Sequence, residues 1–149
     1  MTNSPNKFRA VVDSNVIIAA QRSTHAQSPN RELIERWRLG EFDFLYSADT
    51  LGEYAEKLLT LGVPRADAVA FLALVIALGE EVEIRFFHLR RYPHDADDIA
   101  FLLCAWNGLA SHLVSYDGHL LELAESYRTH FCICRPLVLL ATLRAAQAQ

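Results

Sequence analysis

The feature that most constrains this chain is a regular alternation: short runs of aromatic and branched residues are separated by stretches with helical spacing. Residues 8–13 (FRAVVD), 42–47, 82–87, 112–115 and 131–134 are each short and apolar and read as strands. Residues 16–21 read as a helical turn or two. Leu33, Ile34 and Trp37 follow Pro29-Asn30 at helical spacing, and Leu51, Tyr54, Ala55, Leu58 and Leu59 form a stripe at i, i+3, i+4, i+7 and i+8. Residues 66–78 follow Gly62-Val63-Pro64 and are stopped by Gly79. Further helices are expected over 97–107, closed by Gly108, over 120–125, and after Pro136. Five strands interleaved with helices imply an α/β chain, a three-layer α/β/α sandwich around a mostly parallel sheet of about five strands.

Composition narrows the classes. Of 149 residues, 52% are apolar and 21% charged, which excludes a disordered tail. The formal net charge of −4 excludes a basic protein that coats nucleic acid by charge alone, but not a nuclease with metal-binding carboxylates. No repeat or low-complexity linker interrupts the sequence, so residues 1–149 read as a single domain, with 1–7 and 146–149 as flexible ends. The apolar run near the N-terminus stops at Asp13 without a cleavage pattern, and the expectation is an unprocessed cytoplasmic protein with no membrane partner. Residues 66–78 are too few to cross a bilayer and read as a buried helix. Cys104, Cys132 and Cys134 read as buried reduced thiols, the C-x-C pair sharing one strand face. His94 and His119 read as surface or hydrogen-bonded side chains, and Trp37 and Trp106 as core or subunit interface.

The acids carry the functional signal. In open parallel sheets, ligands bind beyond the carboxyl ends of the strands, where strand order reverses. Asp13 ends the first strand, and Asp117 follows the fourth. The run His94-Asp95-Ala96-Asp97-Asp98 opens a helix just before that fourth strand, and Glu53 lies on a helix four residues after Asp49, on the same face. Carboxylates gathered from four segments repel unless a hard cation neutralises them. Oxygen ligands suit magnesium or manganese, and no His-rich or Cys-rich spacing argues for zinc. On spacing alone, helix caps and scattered surface acids stay open as the alternative.

Four segments in order, DSNVIIAA, SADTLGEY, DADDIAFLLCA and LVSYDGHLL, resemble those of PIN-domain ribonucleases, particularly the toxin components of toxin–antitoxin systems (VapC-like). The similarity spans about residues 8 to 136. It implies a metal-dependent endoribonuclease hydrolysing RNA phosphodiester bonds, with catalytic acids at Asp13, Glu53, Asp98 and Asp117. One or two Mg2+ or Mn2+ ions would be held by Asp13, Asp98 and Asp117, with Glu53 as a ligand or as an orienter of water. By the same resemblance Ser14, Asn15 and Ser115 orient the carboxylates, Asp95 and Asp97 are accessory or capping residues, and the partners are a cognate antitoxin and a second copy in a homodimer. The sequence departs from the family pattern at Ala96, where proline is frequent, at Ile99, where an acid or amide is common, and at Tyr116, which replaces a small residue and could narrow the site.

Substrate binding is less legible. All but Lys7 and Lys57 of the 14 basic residues are arginine, and Arg22, Arg31, Arg90 and Arg91 are candidate contacts to an RNA backbone, with Tyr92 or Tyr116 stacking a base. A phosphoaccepting receiver domain would need a lysine after the fifth strand, a haloacid-dehalogenase-type phosphatase a second aspartate where Asn15 stands, and a dinucleotide-binding fold a G-x-G-x-x-G run. All three are missing. The remaining rival is a non-catalytic PIN-like scaffold that binds RNA or a protein partner.

Overall fold

A strand shielded on both faces and both edges must sit at the centre of a sheet, and this is the position of β1 (Phe8–Val12), whose Ala10, Val11 and Val12 are wholly buried. In the computed structural model, which describes residues 7–148, β1 pairs in parallel with β2 (Phe42–Tyr46) on one side and β4 (His112–Val114) on the other. Two short strands complete the sheet: β3 (Glu80–Glu81) beside β2, and β5 (Cys132–Cys134) beside β4. All pairings are parallel, and the order is β3-β2-β1-β4-β5. Of the flexible ends expected over 1–7 and 146–149, residues 1–6 and 149 lie outside the described residues, and 146–147 belong to the C-terminal helix. Lys7 is paired with Asp43 at 3.0 Å.

Helices cover both faces, as parallel strands require. α1 (Ser14–Arg22) and α2 (Pro29–Arg38) join β1 to β2, and α3 (Ala48–Thr60) and α4 (Arg65–Leu78) join β2 to β3. Trp37 of α2 packs on Phe44 of β2 with ring centroids 4.4 Å apart, and Tyr54 of α3 and Phe71 of α4 complete that cluster. Neighbouring residues of a strand face opposite ways, so Leu45 points to the other layer. There it meets Gly108, which follows α5 (Ile99–Asn107); a Cβ on Gly108 would come within 3.0 Å of Leu45 and 2.9 Å of Val82. α6 (Gly118–Leu121) and α7 (Ala124–Tyr127) link β4 to β5, and α8 (Pro136–Gln147) returns to pack against α2, where Arg144 pairs with Glu32.

Four expectations need correction. Residues 82–87 are not a strand. β3 ends at Glu81 because its only partner, β2, ends at Tyr46, where the chain turns into α3; a last bond from Val82 to the Tyr46 carbonyl closes the ladder. Beyond it the backbone runs as a strap without regular structure to Asp95, and side chains take over the role of a neighbouring strand. Asn107 accepts from the Arg85 and Phe86 amides through Oδ1 and donates from Nδ2 to the Phe86 and Leu103 carbonyls. Tyr127 accepts from the Arg91 amide and donates to its carbonyl. Replacing Asn107 with alanine is therefore expected to lower stability by about 1–3 kcal/mol, read by urea denaturation, and to make the strap the first site of limited proteolysis.

The second correction concerns α4, which is not a buried helix. Ala68, Phe71 and Val75 are buried and Leu72 and Leu74 pack partly against the core, while Val69, Ile76 and Leu78 are more than half exposed, because α4 packs on α3 and β2 and no element among the described residues covers its outer side. The third concerns Cys132, which is exposed at the start of the edge strand β5, whereas Cys134 and Cys104 are buried. The helix expected over 120–125 is divided into α6 and α7.

Candidate functional site

The strand order places a crevice before any side chain is considered. From β1 the chain moves to β2 and then β3 on one side, and it next crosses back to β4 on the other side of β1. Strand order therefore reverses between β1 and β4, and ligand sites in open parallel sheets form beyond the carboxyl ends of such a pair. Asp13 follows β1 directly and extends the ladder, its amide donating to the Val114 carbonyl at 2.9 Å. Ser115, Tyr116 and Asp117 follow β4, which ends one residue earlier than expected.

Two polar side chains lock these loops. Ser115, fully buried, donates its hydroxyl to Asp13 Oδ2 at 2.6 Å and accepts from the Asp117 amide at 2.9 Å, tying the first acid to the last. Asn15 donates to Ser115 Oγ at 3.4 Å and accepts from the Tyr116 amide at 3.2 Å. Asp13 Oδ1 accepts from the Ser14 amide at 2.7 Å, so Asp13 caps α1 while its other oxygen faces Ser115. Capping and membership of the acidic cluster, alternatives on spacing alone, coincide in this residue.

Asp98 comes from a different segment. A single 3-10 turn (Ala96–Asp98) precedes α5, and Asp95 caps it by accepting from the Asp97 amide at 3.0 Å. The cap is thus Asp95 rather than Asp97, because the turn starts one residue earlier than the helix predicted from Asp97. Asp98 is only 5% exposed, and its Oδ2 is buried without a hydrogen-bond partner among the described residues. One carboxylate oxygen each from Asp13, Asp98 and Asp117 lies within 4.8 Å of the others. Burial, and then the charges of Asp117 and Asp13, push the Asp98 carboxyl up to about 8. Burial also raises Asp13, against the opposing hydrogen bonds from Ser115 and Ser14. Buried carboxylates that repel one another, one with an orphaned oxygen, are the condition a divalent cation relieves. Three hard oxygen donors suit magnesium or manganese rather than a soft metal.

A cleft of about 290 Å³ opens on this cluster. Ser14, Asn15, Glu53, Asp95 and Asp97 line it together with the three clustered acids. Glu53 reaches it from α3, half-buried, and burial, followed by the nearby Asp97 and Glu56 carboxylates, raises its pKa. Asp49 stays exposed outside it. Tyr116 does not line the cleft, since its hydroxyl donates to Asn30 Oδ1 at 2.8 Å. Arg22 donates to the carbonyl of Leu61, a residue on the cleft wall. Arg31, Arg90 and Arg91 are exposed and line no part of it. His94 and His119 are surface residues on either side of Glu122, 3.5 and 4.0 Å from its carboxylate.

Two residues were missed in the sequence. Tyr54, assigned only to an apolar stripe, donates its buried hydroxyl to the Val12 carbonyl, next to Asp13. Lys57 lines the cleft; its position one helical turn after Glu53 is the signal that could have found it. A larger hollow of about 760 Å³ lies at the opposite, amino-terminal edge of the sheet, between Arg9, Trp106 and His130; Glu80, Glu81 and Glu83 line it, but among the described residues their carboxylates do not converge as those of Asp13, Asp98 and Asp117 do.

The PIN domain family matches the chain over residues 9–119, more than half of its length, and the chain belongs to that family. Its fold is similar to that of a chain in the crystal structure of VapBC2 from Rickettsia felis bound to a DNA fragment from their promoter. The TM-score is 0.53 at 11% identity, covering 85% of this chain and 97% of that one. No curated protein matches the sequence. No helix among the described residues is long and apolar enough to cross a membrane.

Proposed function

We propose that this protein is a divalent-metal-dependent endoribonuclease and the toxin of a toxin–antitoxin pair, acting in the cytoplasm. The observation that carries the reading is the orphaned, buried Asp98 oxygen beside Asp13 and Asp117, three carboxylates from three segments brought within 4.8 Å. Asp13, Asp98 and Asp117 would hold one or two Mg2+ or Mn2+ ions. When bound, the ion supplies activation of water toward a phosphodiester and charge stabilisation of the leaving oxygen. Ser115 and Asn15 keep Asp13 and Asp117 oriented, and such supporting bonds are typically worth 10- to 100-fold in affinity or activity. Glu53, held above the usual carboxylate range, takes or orients a proton at the cleft wall.

The toxin assignment draws on the resemblance of the four motifs and on a structural neighbour whose title describes a VapBC2 pair on promoter DNA. A cognate antitoxin and a homodimer are the partners this implies. Exposed apolar side chains on α4 (Val69, Ile76, Leu78) and α8 (Leu137, Val138) provide surface for them.

The test is cleavage of a mixed pool of structured and single-stranded RNAs with Mg2+, Mn2+ or EDTA. Wild-type protein is expected to cut only with metal, and Asp13→Asn to lose cutting while keeping its circular dichroism spectrum. Wild-type-like cutting by Asp13→Asn would refute the assignment. Folded wild-type protein that binds RNA but cuts none of it with either metal would favour the scaffold reading.

A further inference from the structure

Among the described residues, the acidic cleft contains one cationic side chain, Lys57. It lies on α3 one turn beyond Glu53, half-buried, on the wall shared with Asp13. Its charge partly offsets the rise in pKa of both Asp13 and Glu53, so the ammonium group is within electrostatic reach of the two acids. Yet among the described residues it forms neither a hydrogen bond nor an ion pair within 4.0 Å. The other lysine, Lys7, shows the contrasting behaviour, closed on Asp43 at 3.0 Å.

A lysine that served only to neutralise a carboxylate would close on it, because the attraction grows steeply as the separation falls. A lysine that served only solubility would extend its head into water rather than line a cleft. Lys57 does neither. It holds a positive charge inside a negative cleft and leaves that charge open to a third group. An anion is the complementary occupant, and in the nuclease reading the anion that must enter is a phosphodiester.

We propose that Lys57 is the phosphate-binding residue of this cleft, taking a non-bridging oxygen of the RNA backbone. The inference rests on the nuclease reading and adds to it how a chain of net charge −4 admits a polyanion. Lysine acts here as a compact point charge, so the contact positions the backbone and carries no base preference.

The experiment compares wild type, Lys57→Arg and Lys57→Gln in initial-rate cleavage of a labelled single-stranded RNA with Mn2+ at several salt concentrations. Mn2+ affinity is measured by electron paramagnetic resonance, and folding by thermal melting. Losing one charge-assisted contact is expected to lower kcat/KM of Lys57→Gln by about 10- to 100-fold. The slope of log kcat/KM against log salt should shrink by about 0.7, the signature of one lost phosphate contact on a single strand. Lys57→Arg should recover most of the rate, and Mn2+ binding should stay as tight or become tighter. Cleavage by Lys57→Gln within twofold of wild type would overturn the proposal alone and leave the nuclease standing. So would a rate loss that tracks weakened Mn2+ binding or a lower melting temperature, because Lys57 would then act through the carboxylates or the fold. Wild-type protein that cuts nothing would bring down the nuclease reading and this inference with it.

Discussion

Asp98→Asn is expected to yield a protein that is folded, more heat-stable than wild type in EDTA, and at least about a thousandfold slower in RNA cleavage. All three effects follow from one carboxylate. Asp98 is buried, has an oxygen without a hydrogen-bond partner among the described residues, and faces the charges of Asp117 and Asp13, so its carboxyl is pushed up to about 8. Asparagine keeps the shape, removes the charge, and offers an amide N–H to the neighbouring carboxylates. The cost of keeping that carboxyl protonated on folding, or charged beside Asp13 and Asp117 at higher pH, then disappears, and a rise of several degrees in melting temperature is expected for a chain of this size. The same change deletes one of three converging oxygen donors, and a divalent ion in such a site supplies several kcal/mol of charge stabilisation. Thermal melting in EDTA and initial rates in Mn2+ check the two halves separately. A buried acid with a purely structural role would give the opposite pattern, lower stability with activity retained.

The second large effect is a pH dependence of metal-free stability that reverses the usual behaviour of a carboxylate. Below about pH 4, Asp98 is protonated in both folded and unfolded chains and contributes no difference. As pH rises from about 4 toward 8, the unfolded chain releases this proton while the folded chain retains it, so stability falls; above about 8 the loss is complete. Asp13 and Glu53, also raised, act in the same direction. Two groups oppose the trend at lower pH. Glu32 is held down to about 2 by Arg144 and Arg36, so its contribution is lost as pH falls from about 4 toward 2. Half-buried His112, lowered by desolvation, costs stability as pH drops through the ordinary histidine range.

The comparison with Asp98→Asn isolates the carboxyl of interest: the variant's advantage in EDTA is expected to grow from pH 5 to pH 8 and then level off. Mn2+ should stabilise wild type more at pH 8 than at pH 5, because its ligands must be deprotonated. Parallel profiles for the two proteins would contradict a raised Asp98 pKa.

The sheet was legible because its central strands are buried on both faces, so FRAVV and HLV had to be nearly continuous apolar runs. Asp13 and Asp117 were legible for a related reason, since a charged residue directly after a buried strand, or within three residues of its end, lies at the sheet edge. Asp98 needed the family pattern. Composition in DADDIAF does not say which acid turns inward, and only the 3-10 turn capped by Asp95 settles the phase.

What stayed hidden depended on partners far away in sequence. Residues 82–87 have strand-like composition, but β2 ends too early to pair with them, and the amide of Asn107, about twenty residues on, binds the backbone instead. Residues 66–78 look like core because they are apolar nearly all round, yet no element among the described residues covers the outer side of α4. Lys57 reads as an ordinary helix lysine until the fold brings Glu53 and Asp13 to the same cleft.

The most direct measurement of the central claim is a Mn2+ titration of purified metal-free protein at neutral pH, followed by electron paramagnetic resonance, with Asp98→Asn in parallel. Saturable binding by wild type, weakened at least tenfold in a folded Asp98→Asn protein, is the expected result. Wild type that leaves Mn2+ free in solution, or a variant that binds it equally well, would contradict a metal centre built on Asp13, Asp98 and Asp117.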